Sequence, residues 1–168
     1  MLKKQLMFKI RLLILLLVSN FFLSCSNYTQ NINKNKFAID YISGEIDGLI
    51  LKNLLLNNLQ SIQSYDPNSN YLIKSKIVHK NNIYITNIDN TSDREKITTN
   101  LEIVLLDKGK NCKIFDWNQS ISQFYIYASS EKQVSNNKAR KDIKFINTEE
   151  LVKELIEDLV TVEHVCEK

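Results

Sequence analysis

Ile97-Thr98-Thr99-Asn100-Leu101-Glu102-Ile103-Val104-Leu105-Leu106 decides how this chain folds. Ile97, Thr99, Leu101, Ile103 and Leu105 fall on one side of an extended segment, and Thr98, Asn100 and Glu102 on the other. Strand side chains alternate between two faces, so the segment reads as a strand with one buried and one wet face. Val104 and Leu106 make its end apolar on both faces. Asp107-Lys108-Gly109-Lys110 then reads as a hairpin turn. A long strand from about Cys112 to Tyr127 follows. It sets Phe115, Trp117, Ile121, Tyr125 and Tyr127 on one side and Asp116, Asn118, Ser120 and Ser122 on the other. Upstream, residues 71–79 and 83–89 read as two further strands joined by a tight turn at Lys80-Asn81-Asn82.

Two helical patterns flank these strands. After a first strand at Phe37-Ala38-Ile39-Asp40-Tyr41-Ile42, a leucine-rich run extends from Leu49 to Ile62. Leu51, Leu55 and Leu59 recur at four-residue spacing, the stripe of a helix lying on a sheet. Asp66-Pro67-Asn68-Ser69-Asn70 stops it with turn residues. Residues 128–134 read as a polar loop, and a last helical region runs from about Ser135 to Glu163. In its second half Leu151, Val152, Leu155, Ile156, Leu159 and Val160 form the apolar face, with Asn147 and Glu150 placed as a capping box. Its first half is more polar, with only Ala139, Ile143 and Ile146 marking a face. Strands bracketed by helices indicate an α+β fold: a mainly antiparallel four- to five-stranded sheet packed on one face by two helices.

The N-terminus has a different character. Lys3, Lys4, Lys9 and Arg11 precede an apolar run from Leu12 to Val18, and Phe21-Phe22-Leu23-Ser24-Cys25 closes the segment. A basic start, a short apolar stretch and a small residue before a cleavage point are the parts of a secretory signal. The apolar part falls short of the ~20 residues that span a bilayer. Ending on Ser24-Cys25, it resembles the lipobox of bacterial lipoproteins, in which the cysteine is lipidated and becomes the new N-terminus. An uncleaved anchor through Leu23 and ordinary cleavage leaving a plain thiol are the alternatives. The lipoprotein reading divides the chain into a signal at 1–24, a polar tether at 25–36 and one α+β domain at 37–164. Removing residues 1–24 leaves 144 of 168 residues, enough for one core. Those 24 residues carry four basic and no acidic side chains, so the net charge falls from +3 to −1. A nearly neutral domain argues against a general nucleic-acid binder.

Beyond Cys25, Cys112 and Cys166 can form a disulfide in an exported domain or stand as two thiols. No catalytic constellation can be assembled. His79 and His164 are the only histidines, and no second Cys/His pair joins His164 and Cys166 to complete a zinc set. Gly44 and Gly48 lack a phosphate-loop pattern, and Glu45 and Asp47 favour a helix N-terminus. The chain is therefore expected not to be an enzyme, with no cofactor and no metal. Its basic residues are more suggestive. Arg94, Lys96 and Lys108 lie near strand ends, and Lys132, Lys138, Arg140, Lys141 and Lys144 begin the last helical region. They read either as solvated faces or as a cationic strip that meets glycolipid phosphates. The aromatic side of the last strand packs a core, or abuts acyl chains or a partner wall.

This layout resembles the LPS-assembly lipoproteins (LptE), small outer-membrane lipoproteins that plug a large LPS-transport β-barrel. The stretches that carry the resemblance are Leu72-Ile73-Lys74, Arg94-Glu95-Lys96-Ile97, Leu101-Glu102-Ile103-Val104-Leu105-Leu106-Asp107 and Glu150-Leu151-Val152-Lys153-Glu154-Leu155-Ile156-Glu157-Asp158-Leu159. The resemblance implies lipidation at Cys25 and, with Ser26 after it, an outer-membrane location on the periplasmic side. It also implies LPS contacts at Arg94 and Lys132, with the barrel and lipopolysaccharide as partners. A structural or pilotin-like lipoprotein of another envelope complex is the alternative.

Overall fold

In a computed structural model, the strand quoted above is the third of four in one mixed sheet. The structure describes residues 35–85, 92–126, 133–163, 165 and 166. They belong to one compact unit, Asn33–Lys168. The signal and most of the tether expected from the sequence lie outside the described residues. In chain order the elements are β1 (Phe37–Ser43), α1 (Glu45–Ser61), β2 (Tyr71–Ile85), β3 (Ser92–Asp107), β4 (Cys112–Ile126) and α2 (Gln133–Thr161). The sheet order is β1-β2-β3-β4.

β2, β3 and β4 form an antiparallel meander, whereas β1 pairs with β2 in parallel. The sheet is thus α+β as expected, but mixed at one edge. Parallel neighbours need a crossover connection, and α1 supplies it. The expected turn at Lys80-Asn81-Asn82 does not exist. β2 runs straight through it, with Lys80, Asn81 and Asn82 opposite Thr98, Ile97 and Lys96. Asparagines favour turns locally, but a fifteen-residue ladder to β3 outweighs that preference. Two expected strands are therefore one.

Both helices cover the same face. The core joins Leu51, Leu55 and Leu59 of α1 to Leu151, Leu155 and Leu159 of α2 over Ile73, Ile77, Leu101, Ile103, Leu105 and Trp117 of the sheet. Each fully buried leucine or isoleucine contributes roughly 1.5–3 kcal/mol. The register of β4 shifts by a bulge opposite Leu105 and Leu106, where Ile114 turns into the core. α1 begins at Gly44, whose φ of 127° few other residues adopt. A side chain there would also strike Ile77.

α2 is one helix of 29 residues, so Asn147 is not its cap. Asn147 lies mid-helix and fully buried against β3. Two further ties hold the far end of α2 and the tail. The indole N–H of Trp117 donates to Asp158 at 2.7 Å, and Cys112 is disulfide-bonded to Cys166. That disulfide spans 54 residues of chain. Closing so long a loop stabilises the domain by about 2–4 kcal/mol, chiefly through the unfolded chain. Urea unfolding followed by the fluorescence of Trp117 checks this: reductant should lower the midpoint, and Cys112→Ser with Cys166→Ser should reproduce the shift without reductant.

Candidate functional site

With one face sealed by the helices, no described element covers the other face of the sheet, which the even-numbered residues of β2 and β3 form. At one end its charges are neutralised. Lys74 lies 3.9 Å from Asp40, and Lys76 lies 3.3 Å from Glu102. Both pairs are about half exposed, so each is worth little to stability. Toward the end where β2 passes into β3 the composition changes. The register sets Asn82, Lys96 and Phe124 in one row and Tyr84, Arg94 and Ile126 in the next. Tyr84, Phe124 and Ile126 are 43%, 57% and 81% exposed. The rings of Tyr84 and Phe124 meet at 5.8 Å, and the Lys96 ammonium stands 5.6 Å from the Phe124 centroid. Among the described residues, neither Lys80 nor Lys96 has a carboxylate within ion-pair distance. An exposed apolar patch beside cations suits an amphipathic anion, with phosphate at the cations and hydrocarbon on Phe124 and Ile126.

Of the expected site residues, Arg94 lies in this patch, exposed and beside Tyr84 and Ile126. Cys25 and Lys132 lie outside the described residues. The single cationic strip is not formed. Lys108 is in the β3–β4 turn, at the opposite end of β3 from Arg94. Arg140 and Lys144 are on α2, on the covered side of the sheet, and each is engaged there. The aromatic side of β4 turns inward, with Trp117 in the core and Phe115 and Ile121 against it. Tyr127 lies outside the described residues, and among the described aromatics of β4, Phe124 is the one that faces outward. It stands out in the sequence only as the residue that breaks the polar series Asp116, Asn118, Ser120 and Ser122.

Two polar clusters tie the covered face to α2. Glu95 has a side chain only 1% exposed. The Arg140 Nε–H donates to Oε1 at 2.8 Å and an Nη2–H to Oε2 at 2.8 Å, while the Tyr125 hydroxyl donates to Oε2 at 2.5 Å. Burial alone pulls the Glu95 pKa upward, but these donors and the guanidinium charge together hold it below the usual carboxylate range. Tyr125 is pushed up to about 12, by burial first and then by its bond to Glu95 and the carboxylate charge. In the second cluster, His79 Nδ1 lies 2.8 Å from Thr99 Oγ1, which also accepts a 3.2 Å bond from Asn147 Nδ2. Burial lowers the His79 pKa more than nearby Asp47 raises it, and Lys144 lowers it further. Sequence inspection missed both clusters, because each pairs residues at least 20 positions apart. Among the described residues, no group of three His, Cys, Asp or Glu side chains is placed to hold a metal ion.

No family model and no curated protein matches the chain. Solved structures do. Rare lipoprotein B from Shewanella oneidensis superposes with a TM-score of 0.61 at 9% identity, covering 76% of this chain and 95% of that one. A minor lipoprotein from Acinetobacter baumannii gives 0.55 at 12% identity, over 75% and 90% of the two chains. Lipoprotein B from Nitrosomonas europaea gives 0.55 at 10% identity, over 75% and 82%. The chain has the fold of these lipoproteins, an LptE-like fold as the sequence suggested.

The two clusters yield separate predictions. Arg140→Ala strands the buried Glu95 carboxylate and should cost about 3 kcal/mol or more. Glu95→Leu with Arg140→Leu should recover most of that loss, measured by urea unfolding of the two variants beside the parent. The lowered pKa of His79 means the unfolded chain takes up a proton that the folded domain refuses. Stability should therefore fall as pH drops through about 6.5 toward the depressed folded value. His79→Gln should flatten that part of the profile, read as melting temperature against pH.

Proposed function

We propose that this chain is a lipid-anchored protein of the bacterial outer membrane that plugs an LPS-transport β-barrel and assists delivery of LPS to the cell surface. One observation carries the reading. The sheet face left uncovered among the described residues ends in Arg94 and Lys96 beside exposed Tyr84, Phe124 and Ile126. Such a surface answers both parts of a phosphorylated glycolipid, its anionic head and its hydrocarbon. The fold shared with rare lipoprotein B supports the reading, as does the Ser24-Cys25 signal end. No described helix is long and apolar enough to cross a membrane. In this reading acyl chains on Cys25 attach the protein, and two or more chains hold a protein stably at a bilayer. The mechanism is non-catalytic: the domain sits within the barrel, and its cations engage the phosphates as the glycolipid passes.

Charge reversal at Arg94→Asp with Lys132→Asp should weaken LPS binding at least about tenfold, since each charge-assisted bond contributes roughly 1.5–3 kcal/mol. The melting temperature should stay near that of the parent. Unchanged affinity removes the LPS contact. Cross-linking in intact envelopes should recover a large β-barrel protein; recovery of a secretin or an inner-membrane complex instead points to a pilotin-like role.

A further inference from the structure

A second site lies on the covered side of the sheet. Between the start of α1 and the middle of α2 is a pocket of about 640 Å³. Small-molecule sites commonly enclose about 300–1,000 Å³. Ile46, Ile50 and Phe145 give it apolar walls, and His79, Asp47 and Lys144 converge on it.

Asn147 Nδ2–H donates to Thr99 Oγ1, which also pairs with His79 Nδ1. The other ring nitrogen, Nε2, faces the Asp47 carboxylate, which favours the neutral tautomer with its proton on Nε2, in a side chain only 3% exposed. Nε2 stands 3.7 Å from Asp47 Oδ2, and Lys144 Nζ stands 3.6 Å from the same oxygen. Both separations exceed the ~3.2 Å limit of a good N–H···O bond. Two donors thus face one acceptor across gaps that none of them closes.

We propose that this pocket binds a neutral saccharide ring through a hydroxyl group shared by Asp47, His79 and Lys144. A hydroxyl gives its proton to Asp47 and accepts from His79 Nε2–H and Lys144 Nζ–H, which satisfies all three. A water molecule meets the same polar demand but leaves Ile46, Ile50 and Phe145 bare. A sugar ring also lays its C–H face on Phe145, which is 45% exposed. An anion is disfavoured, because Glu45, Asp47 and Asp142 line the pocket against Lys141 and Lys144. The site is on the helix side of the sheet, away from Arg94 and Lys96, so it stands or falls independently of LPS binding.

The test is an NMR titration of the ¹⁵N-labelled full chain in a zwitterionic detergent. The probes are methyl glucoside, methyl galactoside and, separately, inorganic phosphate. One glycoside should give saturating millimolar shifts at Asp47, His79, Lys144 and Phe145, and phosphate should give none there. Phe145→Ala and Lys144→Met alter partly exposed side chains, so the fold should persist, as unchanged β4 resonances would show. Each should weaken glycoside binding about tenfold. Three results overturn the proposal: no saturating response to either glycoside, a response that survives both substitutions, or phosphate binding at these amides.

Discussion

The odd-numbered side chains of β3 must be shielded from water, and α1 and α2 together provide the cover. Ile97, Leu101, Ile103 and Leu105 are fully buried, and the leucine stripes of both helices lie over the core that they join. At roughly 1.5–3 kcal/mol for each such side chain, this burial supplies most of the stabilisation. The polar groups caught beneath the helices act differently. Glu95 and Thr99 sit in the same row and would be costly if unpaired. A buried ion pair contributes little net stability compared with apolar replacements. What Glu95 and Thr99 contribute is placement: Arg140 must reach one and Asn147 the other, which fixes where along β3 the first half of α2 lies.

This division of labour explains what the sequence made legible. The alternation in β3 and the leucine spacing in α1 report burial directly, so both elements and their inward faces were readable. The first half of α2 has few apolar residues because polar pairs hold it. A hydrophobic pattern therefore understates it, and Asn147 looks like a cap when it is a mid-helix tether. The Lys80-Asn81-Asn82 stretch misled for a related reason. Turn preference is local, whereas β2 is held straight by residues 96–98 of its neighbour. The parallel pairing of β1 was marked only by the strand–helix–strand order, since a helical crossover joins parallel neighbours, and not by the seven residues of β1 themselves.

The candidate site was legible in part. Arg94 was identifiable as a basic residue before a strong strand, but its companions were not. Lys96, Tyr84, Phe124 and Ile126 come from three strands and meet only through register. The basic residues grouped along the sequence were divided by the sheet itself: Arg140 and Lys144 on α2 meet Glu95 and Asp47 on the covered side, whereas Arg94 and Lys96 on β3 lie on the other face. A charge run in sequence is thus a poor guide to a charged surface, because adjacent positions in a strand point to opposite faces.

Under the proposed function, the covered face holds the fold together while the other face meets a phosphorylated glycolipid. Hydrogen–deuterium exchange of the full chain with and without added LPS separates the two roles. Slower exchange is expected in β2 near Tyr84, in β3 near Arg94 and Lys96, and in β4 near Phe124 and Ile126, with α1 and α2 unchanged. Protection confined to the outer surfaces of the helices, or none on the sheet, contradicts it.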